Sequence, residues 1–392
     1  MSFAKAGLVA ALGALFAIAV TGASWAQTTD GWSARAPTPP GGAGKDAKLL
    51  KSQPASKNPA AAPVATQPVA KSAVEPAAKV QLPSKVPDAP VAAAAAATTG
   101  TSTYAKTSVG DDSAYEAFDQ GKYLTALGLA QKAAETGDPQ AHTLVARIHA
   151  EGLGVAKDEA LAAQWYARAA ELGDTEGAFG YGVMLAEGLG VPKDRTAAGR
   201  MFEAAALKGH VLANYNLAML FLKGDGKPEN PYRAAKHLEY AASKGTVVAQ
   251  YDLGTLYATG TGVDPNASEA AKWIGKAAAA GYPDAEMDYA VMLFQGRGVP
   301  VSQEKGAEYF RSAAGKGIVV AQNRLARCYA FGAGVKADLG EAAKWHFIAK
   351  AGGLADDGLD KLVTKLSKAD LAKAQKAAVA WSEQAAVEGT TR

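Results

Sequence analysis

A single cysteine, Cys328, in 392 residues rules out an internal disulfide, so packing alone has to hold the fold. Its repeat counterparts are Leu220 and Leu256, which reads it as a small buried hydrophobe. Histidine is scarce as well. His142, His149, His210, His237 and His346 are scattered, and none stands in an HExxH or Cys/His ligand spacing. They read as surface and inter-helix side chains. No serine occupies a GxSxG elbow. The GGAGKD around Gly41 lacks the Ser/Thr and the spacing of a phosphate loop, so no cofactor is implied. Net charge is only +3, which gives no footing for a nucleic-acid partner. After residue 26 no apolar run is long enough to span a bilayer.

What is present changes character along the chain. Residues 1–26 read as a secretory signal peptide, with Lys5, an apolar run from Leu8 to Val20, and Ser24-Trp25-Ala26 before the cleavage point. Cleavage would place the mature chain in the periplasm of a bacterial host; secretion, or anchoring by the uncleaved segment, is the alternative. Residues 27–110 hold 11 of the 18 prolines together with an alanine run from Ala92 to Ala97. Such a composition cannot bury enough surface to offset its ordering entropy, and it reads as a disordered linker. It carries nine Lys/Arg and four Asp/Glu, a net +5. With Lys5 and the linker set aside from the chain's +3, the part from Asp111 onward is at −3. The basic balance therefore belongs to the linker, which suits contact with an anionic envelope surface.

From Gly137 onward the chain repeats. Glycines recur every 36 residues from Gly137 to Gly353, and two further ladders run from Gly152 to Gly332 and from Gly154 to Gly334. A fixed period of this length, with two helical patterns in each unit, predicts an all-α solenoid of helix pairs. Six residues after the first corner glycine stand Asp158, Asp194, Asn230, Asn266, Ser302 and Asp338. They share an acceptor oxygen rather than a charge, which predicts helix N-caps and not metal or phosphate ligands. Residues 111–137 read as an opening helical hairpin, 138–353 as six repeats and 354–388 as capping helices.

The phrase AQYDLGTLYATGTGVDPNASEAAKWIGKAAAAG, Ala249 to Gly281, resembles the Sel1-like repeat, a relative of the tetratricopeptide repeat. That resemblance implies an all-α, right-handed α/α solenoid and an adaptor in signalling or assembly. The opening around Tyr115, Phe118, Gly121, Tyr123 and Ala126 is similar to that of periplasmic Sel1 regulators restraining a sensor kinase. Cysteine-rich members with β-lactam-directed activity carry a disulfide in each repeat. This chain departs from them, because Cys328 has no partner.

Once the motif-fixing positions are assigned to packing, the variable positions of each first helix remain as candidates for a ligand groove. They are Arg147, Asn216, Asp252, Thr255, Asp288, Arg324 and Arg327, polar to acidic in the middle with arginines toward both ends. Hydrogen bonds from Asn216 and ion pairs from Arg324 and Arg327 would hold an extended peptide or partner helix. The expectation is a non-enzymatic periplasmic adaptor that binds an envelope or secreted protein. The alternative is a wall-associated glycan- or peptidoglycan-binding protein or hydrolase.

Overall fold

The computed structural model describes residues 113–390, with side chains through residue 385. The signal-peptide and linker readings fall outside those residues. Among the described residues there are sixteen helices and no strand. Helices α1 (Ser113–Asp119) and α2 (Tyr123–Glu135) come first. Six pairs follow, beginning with α3 (Pro139–Glu151) and α4 (Glu159–Glu171), then α5 (Thr175–Glu187) and α6 (Arg195–Leu207). The middle pairs are α7 (Val211–Lys223) with α8 (Pro231–Ser243), and α9 (Val247–Thr259) with α10 (Ala267–Ala279). The last are α11 (Pro283–Gln295) with α12 (Gln303–Gly315), and α13 (Val319–Phe331) with α14 (Leu339–Ala351). Helices α15 (Asp357–Val363) and α16 (Lys368–Thr390) complete the described chain. Each paired helix has 13 residues, so the regularity of the glycine ladders is a regularity of helix length.

The corner between paired helices is fastened by its cap residue from two sides. The Asp158 backbone N–H donates to the His149 carbonyl at 2.9 Å, while its side chain accepts from the Leu161 N–H at 2.9 Å. One residue thus closes the end of α3 and starts α4. The same arrangement recurs at Asp194, with Leu185 and Ala197, and at Asn230, with Phe221 and Arg233. Asn266 and Asp338 each accept from two amides, and Ser302 makes the longest bond, 3.4 Å to the Lys305 N–H. Acceptor chemistry, not charge, is what the corner requires. Replacing Asp338 by alanine is expected to cost about 1 kcal/mol in chemical denaturation, whereas Asp338→Asn should stay within a few tenths.

The second corner glycine sets the spacing between repeats. Gly298 has φ of 72°, and a Cβ there would lie inside the contact envelope of the Ala267 carbonyl at the start of α10. Equivalent approaches occur at Gly190, Gly226, Gly262 and Gly334. Side chains then fill the narrow space left between helices. Alanine pairs such as Ala162-Ala163 and Ala270-Ala271 are buried, and Phe202, Phe221 and Phe310 occupy the wider gaps. Cys328 is fully buried in the same core, beside Leu325 and Ile348.

Both ends of the array are covered. At the start, Phe118 of α1 packs edge-on to Tyr123 at 5.4 Å between ring centroids, and Arg147 of α3 lies 4.8 Å above the Phe118 ring. At the other end α16 lies on α14, with Trp381 against Trp345 at 5.6 Å and Ala374 and Ala378 buried. The helix starts at Ser367, whose Oγ accepts the Asp370 N–H at 3.1 Å and donates to the Asp370 carboxylate at 2.7 Å. A terminal repeat with an open apolar face would be insoluble without such a lid.

Candidate functional site: the first-helix face

The sixth residue of successive first helices gives Asn216 in α7, Asp252 in α9, Asp288 in α11 and Arg324 in α13. The fifth gives Tyr215, Tyr251, Met287 and Asn323. Neighbouring helices are offset so that the fifth residue of one meets the sixth of the next. Tyr251 donates its hydroxyl to Asp288 at 2.9 Å, and Tyr215 is hydrogen-bonded to Asp252 in the same way one repeat earlier. Two tyrosine–aspartate steps therefore run along the middle of this face.

Their electrostatics are unusual. Burial pushes the Asp252 carboxyl up to about 7, against the opposing effect of the Tyr215 hydrogen bond. Among the described residues no cation pairs with Asp252, although its side chain stays partly accessible. Burial, then Asp284 and Asp252, push Tyr282 up to about 12. Tyr215 and Tyr251 are raised by burial first and then by their aspartates. The Tyr251 and Tyr282 rings stand 5.2 Å apart, with Asp284 exposed at the edge. Asn216 is 1% exposed, and neither its amide nitrogen nor its amide oxygen has a hydrogen-bond partner. That is costly for a buried amide.

The outer members of the predicted groove behave differently. Arg147 is paired with Glu151 at 2.9 Å and stacked on Phe118, so it fastens the opening hairpin. Arg327 is paired with Asp356 at 2.8 Å, and Asn323 donates to the same carboxylate at 2.9 Å. Arg327 thus shares its charge with Asp356, the residue that caps α15. Arg324 sits partly buried beside Arg327, and burial followed by that neighbour lowers its pKa. Thr255 is half-buried and donates to the Tyr251 carbonyl at 3.1 Å. The structure thus brings Asn216, Asp252, Asp288 and Thr255 onto one stretch and assigns Arg147 and Arg327 to the ends.

Tyr215 and Tyr251, which are not among the groove candidates drawn from the sequence, are thus the partners of two of them. The available signal was a spacing of 37 residues, one repeat plus one, from Tyr215 to Asp252 and from Tyr251 to Asp288.

Sequence comparison bears directly on this arrangement. The Sel1 repeat model matches residues 139–174, 175–210, 211–246, 247–282, 283–318 and 319–354, which together make up more than half of the chain. The chain belongs to the Sel1 repeat family. Proteins built from Sel1 repeats are generally protein–protein interaction scaffolds. Two solved structures are similar to it. One is a protective antigen of uropathogenic Escherichia coli with an SLR fold, 26% identical, TM-score 0.51, covering 68% of this chain and 65% of that one. The other is a Sel1 repeat protein from Oxalobacter formigenes, 26% identical, TM-score 0.53, covering 60% of this chain and 95% of that one. This chain therefore spans just under two thirds of the length of the antigen. No curated protein sequence matches it significantly.

Elsewhere in the Sel1 array most groups that often carry chemistry have structural surroundings, although the buried His149 Nε2 and His346 Nδ1 have no hydrogen-bond partner. Burial pushes the Cys328 thiol up to about 12, which disfavours the thiolate a nucleophile needs. His210 accepts the Ala213 N–H on Nδ1, so its neutral ring carries the proton on Nε2, toward Glu176 at 3.0 Å. His142, His237 and His346 contact the Asp138 carbonyl, Asn214 and Asp360 respectively. Among the described residues no group of three or more His, Cys, Asp or Glu side chains is placed to hold a metal. Nor is any described helix long and apolar enough to cross a membrane.

Proposed function

We propose that this Sel1 repeat protein is a non-enzymatic periplasmic adaptor that binds a protein or peptide of the cell envelope along the first-helix face of its third to fifth repeats. The observation that supports it most is a desolvated, partly accessible carboxylate on this face, Asp252, that has no cation among the described residues, with an unsatisfied buried amide, Asn216, at the equivalent position of the preceding first helix. Both cost folding free energy and neither is required by the repeat geometry. A partly accessible carboxylate without an internal cation, such as Asp252, is what a partner can satisfy. Location in the periplasm rests on the signal-like residues 1–26.

A photo-crosslinking amino acid at Thr255, on the face, is compared with one at Lys272, on a second helix. Irradiation of cells is expected to trap a discrete envelope protein from position 255 and not from position 272. Equal products from both positions, or none from 255, would reject the assignment of the face.

A further inference from the structure

One contact made along the array is missing at its last second helix. The second corner glycine of each later repeat rests on the start of the second helix before it. Gly190 meets Glu159 of α4, Gly226 meets Arg195 of α6, and Gly262 meets Pro231 of α8. Gly298 on Ala267 of α10 and Gly334 on Gln303 of α12 continue the series. Each is an approach of backbone to backbone that a Cβ would obstruct. One repeat further on, Leu339 and Gly340 open α14, and the residue in register with Gly334 is Asp370. Asp370 already belongs to α16, because residues 364–367 alone connect α15 to α16, whereas the corner before α14 runs from 332 to 338. With a helix and a side chain where a glycine turn would lie, α16 stands off from the start of α14. A cleft of about 350 Å³ lies between them, within the range of ligand pockets, roughly 300–1,000 Å³. Leu339, Leu366, Ala374 and Ala377 supply its apolar lining. The carboxylates around it are committed: Asp338 accepts the Gly340 and Glu341 amides, Glu341 pairs with Lys344 at 3.2 Å, and Asp370 accepts the Ser367 hydroxyl. Lys373 also lines the cleft, is exposed, and has no hydrogen-bond or ion-pair partner among the described residues.

We propose that this cleft is a docking site for a glycine turn of a partner protein, of the Gly-X-Gly kind that fills the equivalent place five times within the array. The partner's second glycine rests on the start of α14 as Gly334 rests on Gln303. The residue after that glycine is valine at Val191, Val263, Val299 and Val335, each packed against the core, so the partner's turn places an apolar side chain among Leu339, Leu366 and Ala374. An acidic residue of the same turn pairs with Lys373. Continuity with the contact between repeats selects this occupant, since the helix position and the need for a residue without a Cβ are the same. The cleft shares no residue with the first-helix face of repeats three to five, so neither reading depends on the other.

The test uses the full chain and a fluorescent peptide with the sequence of Gly332–Asp338, closed into a turn by a flanking disulfide and read by anisotropy. The same peptide with alanine in place of its second glycine is expected to bind about tenfold more weakly or worse, through left-handed strain and the lost close approach. Ala377→Phe, which fills the cleft, should bring a loss of similar size. Ala204→Phe, on an exposed α6 position, should leave binding within about twofold, and Lys373→Gln should weaken it by up to about fivefold. Should Ala377→Phe unfold early in urea, the two peptides on the unaltered protein decide alone. Equal binding of the two peptides, or undiminished binding to a folded Ala377→Phe, would overturn the proposal. So would absent binding. A concentration-dependent dimer that Ala377→Phe abolishes would overturn it too, by giving the cleft to a second copy of this chain. Crosslinking from position 255 reports on the first-helix face whichever result is obtained.

Discussion

Gly298→Ala is expected to cost about 3 kcal/mol or more, while Gly317→Ala should cost about 1–2 kcal/mol. Both positions have positive φ, 72° and 90°, so both substitutions carry the left-handed strain of a non-glycine residue. They differ in surroundings. Nothing lies within 4 Å of a Cβ at Gly317, whereas at Gly298 it would meet the Ala267 carbonyl. Backbone cannot swing aside as a flexible side chain can, so repeats four and five must separate. In a solenoid such a separation weakens one interface in a chain of nearest-neighbour couplings. Urea unfolding of Gly298→Ala should therefore broaden or split into two steps, with Gly317→Ala remaining a single transition. A single sharp transition with equal losses in both variants would show that the corner glycine serves only its backbone angle.

Asp252→Asn is expected to stabilise the protein at pH 8, by an amount on the order of a few kcal/mol. The carboxyl ionises near pH 3.8 in an unfolded chain and at about 7 in the fold. Between those values the folded state holds the extra proton, so this group's effect on stability worsens as pH rises. Its penalty is absent below about pH 4 and complete above about pH 7. Tyr215 of α7 and Tyr282 at the start of α11 are the ionisable neighbours facing it, and neither adds a charge in this range. Asp356 acts in the opposite sense, since hydrogen bonds from Asn323 and Arg327 outweigh its burial and hold its pKa below the ordinary value. For that reason the measured quantity is the difference between wild type and Asp252→Asn from pH 4 to pH 8. It should grow with pH and then level off. A flat difference would mean that Asp252 is not held in a desolvated place.

How much of this was readable beforehand follows from where each property resides. The corner caps were legible because capping needs one side chain with an acceptor at one position, and Ser302 beside Asp338 shows the shared property in the sequence itself. The period was legible because glycine marks left-handed backbone directly. The Gly298–Ala267 approach was not, since it depends on how far one repeat is translated against the next. The tyrosine–aspartate steps were hidden for the same reason: they join the fifth residue of one helix to the sixth of another. The Arg327 ion pair was not legible because its partner, Asp356, lies beyond the last repeat, where periodicity no longer guides the reading. The first-helix caps show a further limit. Asp138, Asp174 and His210 accept amide bonds, yet Thr246, Tyr282 and Ile318 at the equivalent places do not. Packing between repeats tolerates their loss.

Second helices and corners are taken up by packing and capping, and the first-helix face of repeats three to five is the proposed partner surface. Amide hydrogen exchange on the protein with its crosslink-identified envelope partner, compared with the free protein, tests that division most directly. New protection is expected in α7, α9 and α11 around Asn216, Asp252 and Asp288, with α8, α10 and α12 unchanged. Protection confined to the second helices or to the corner segments would contradict it.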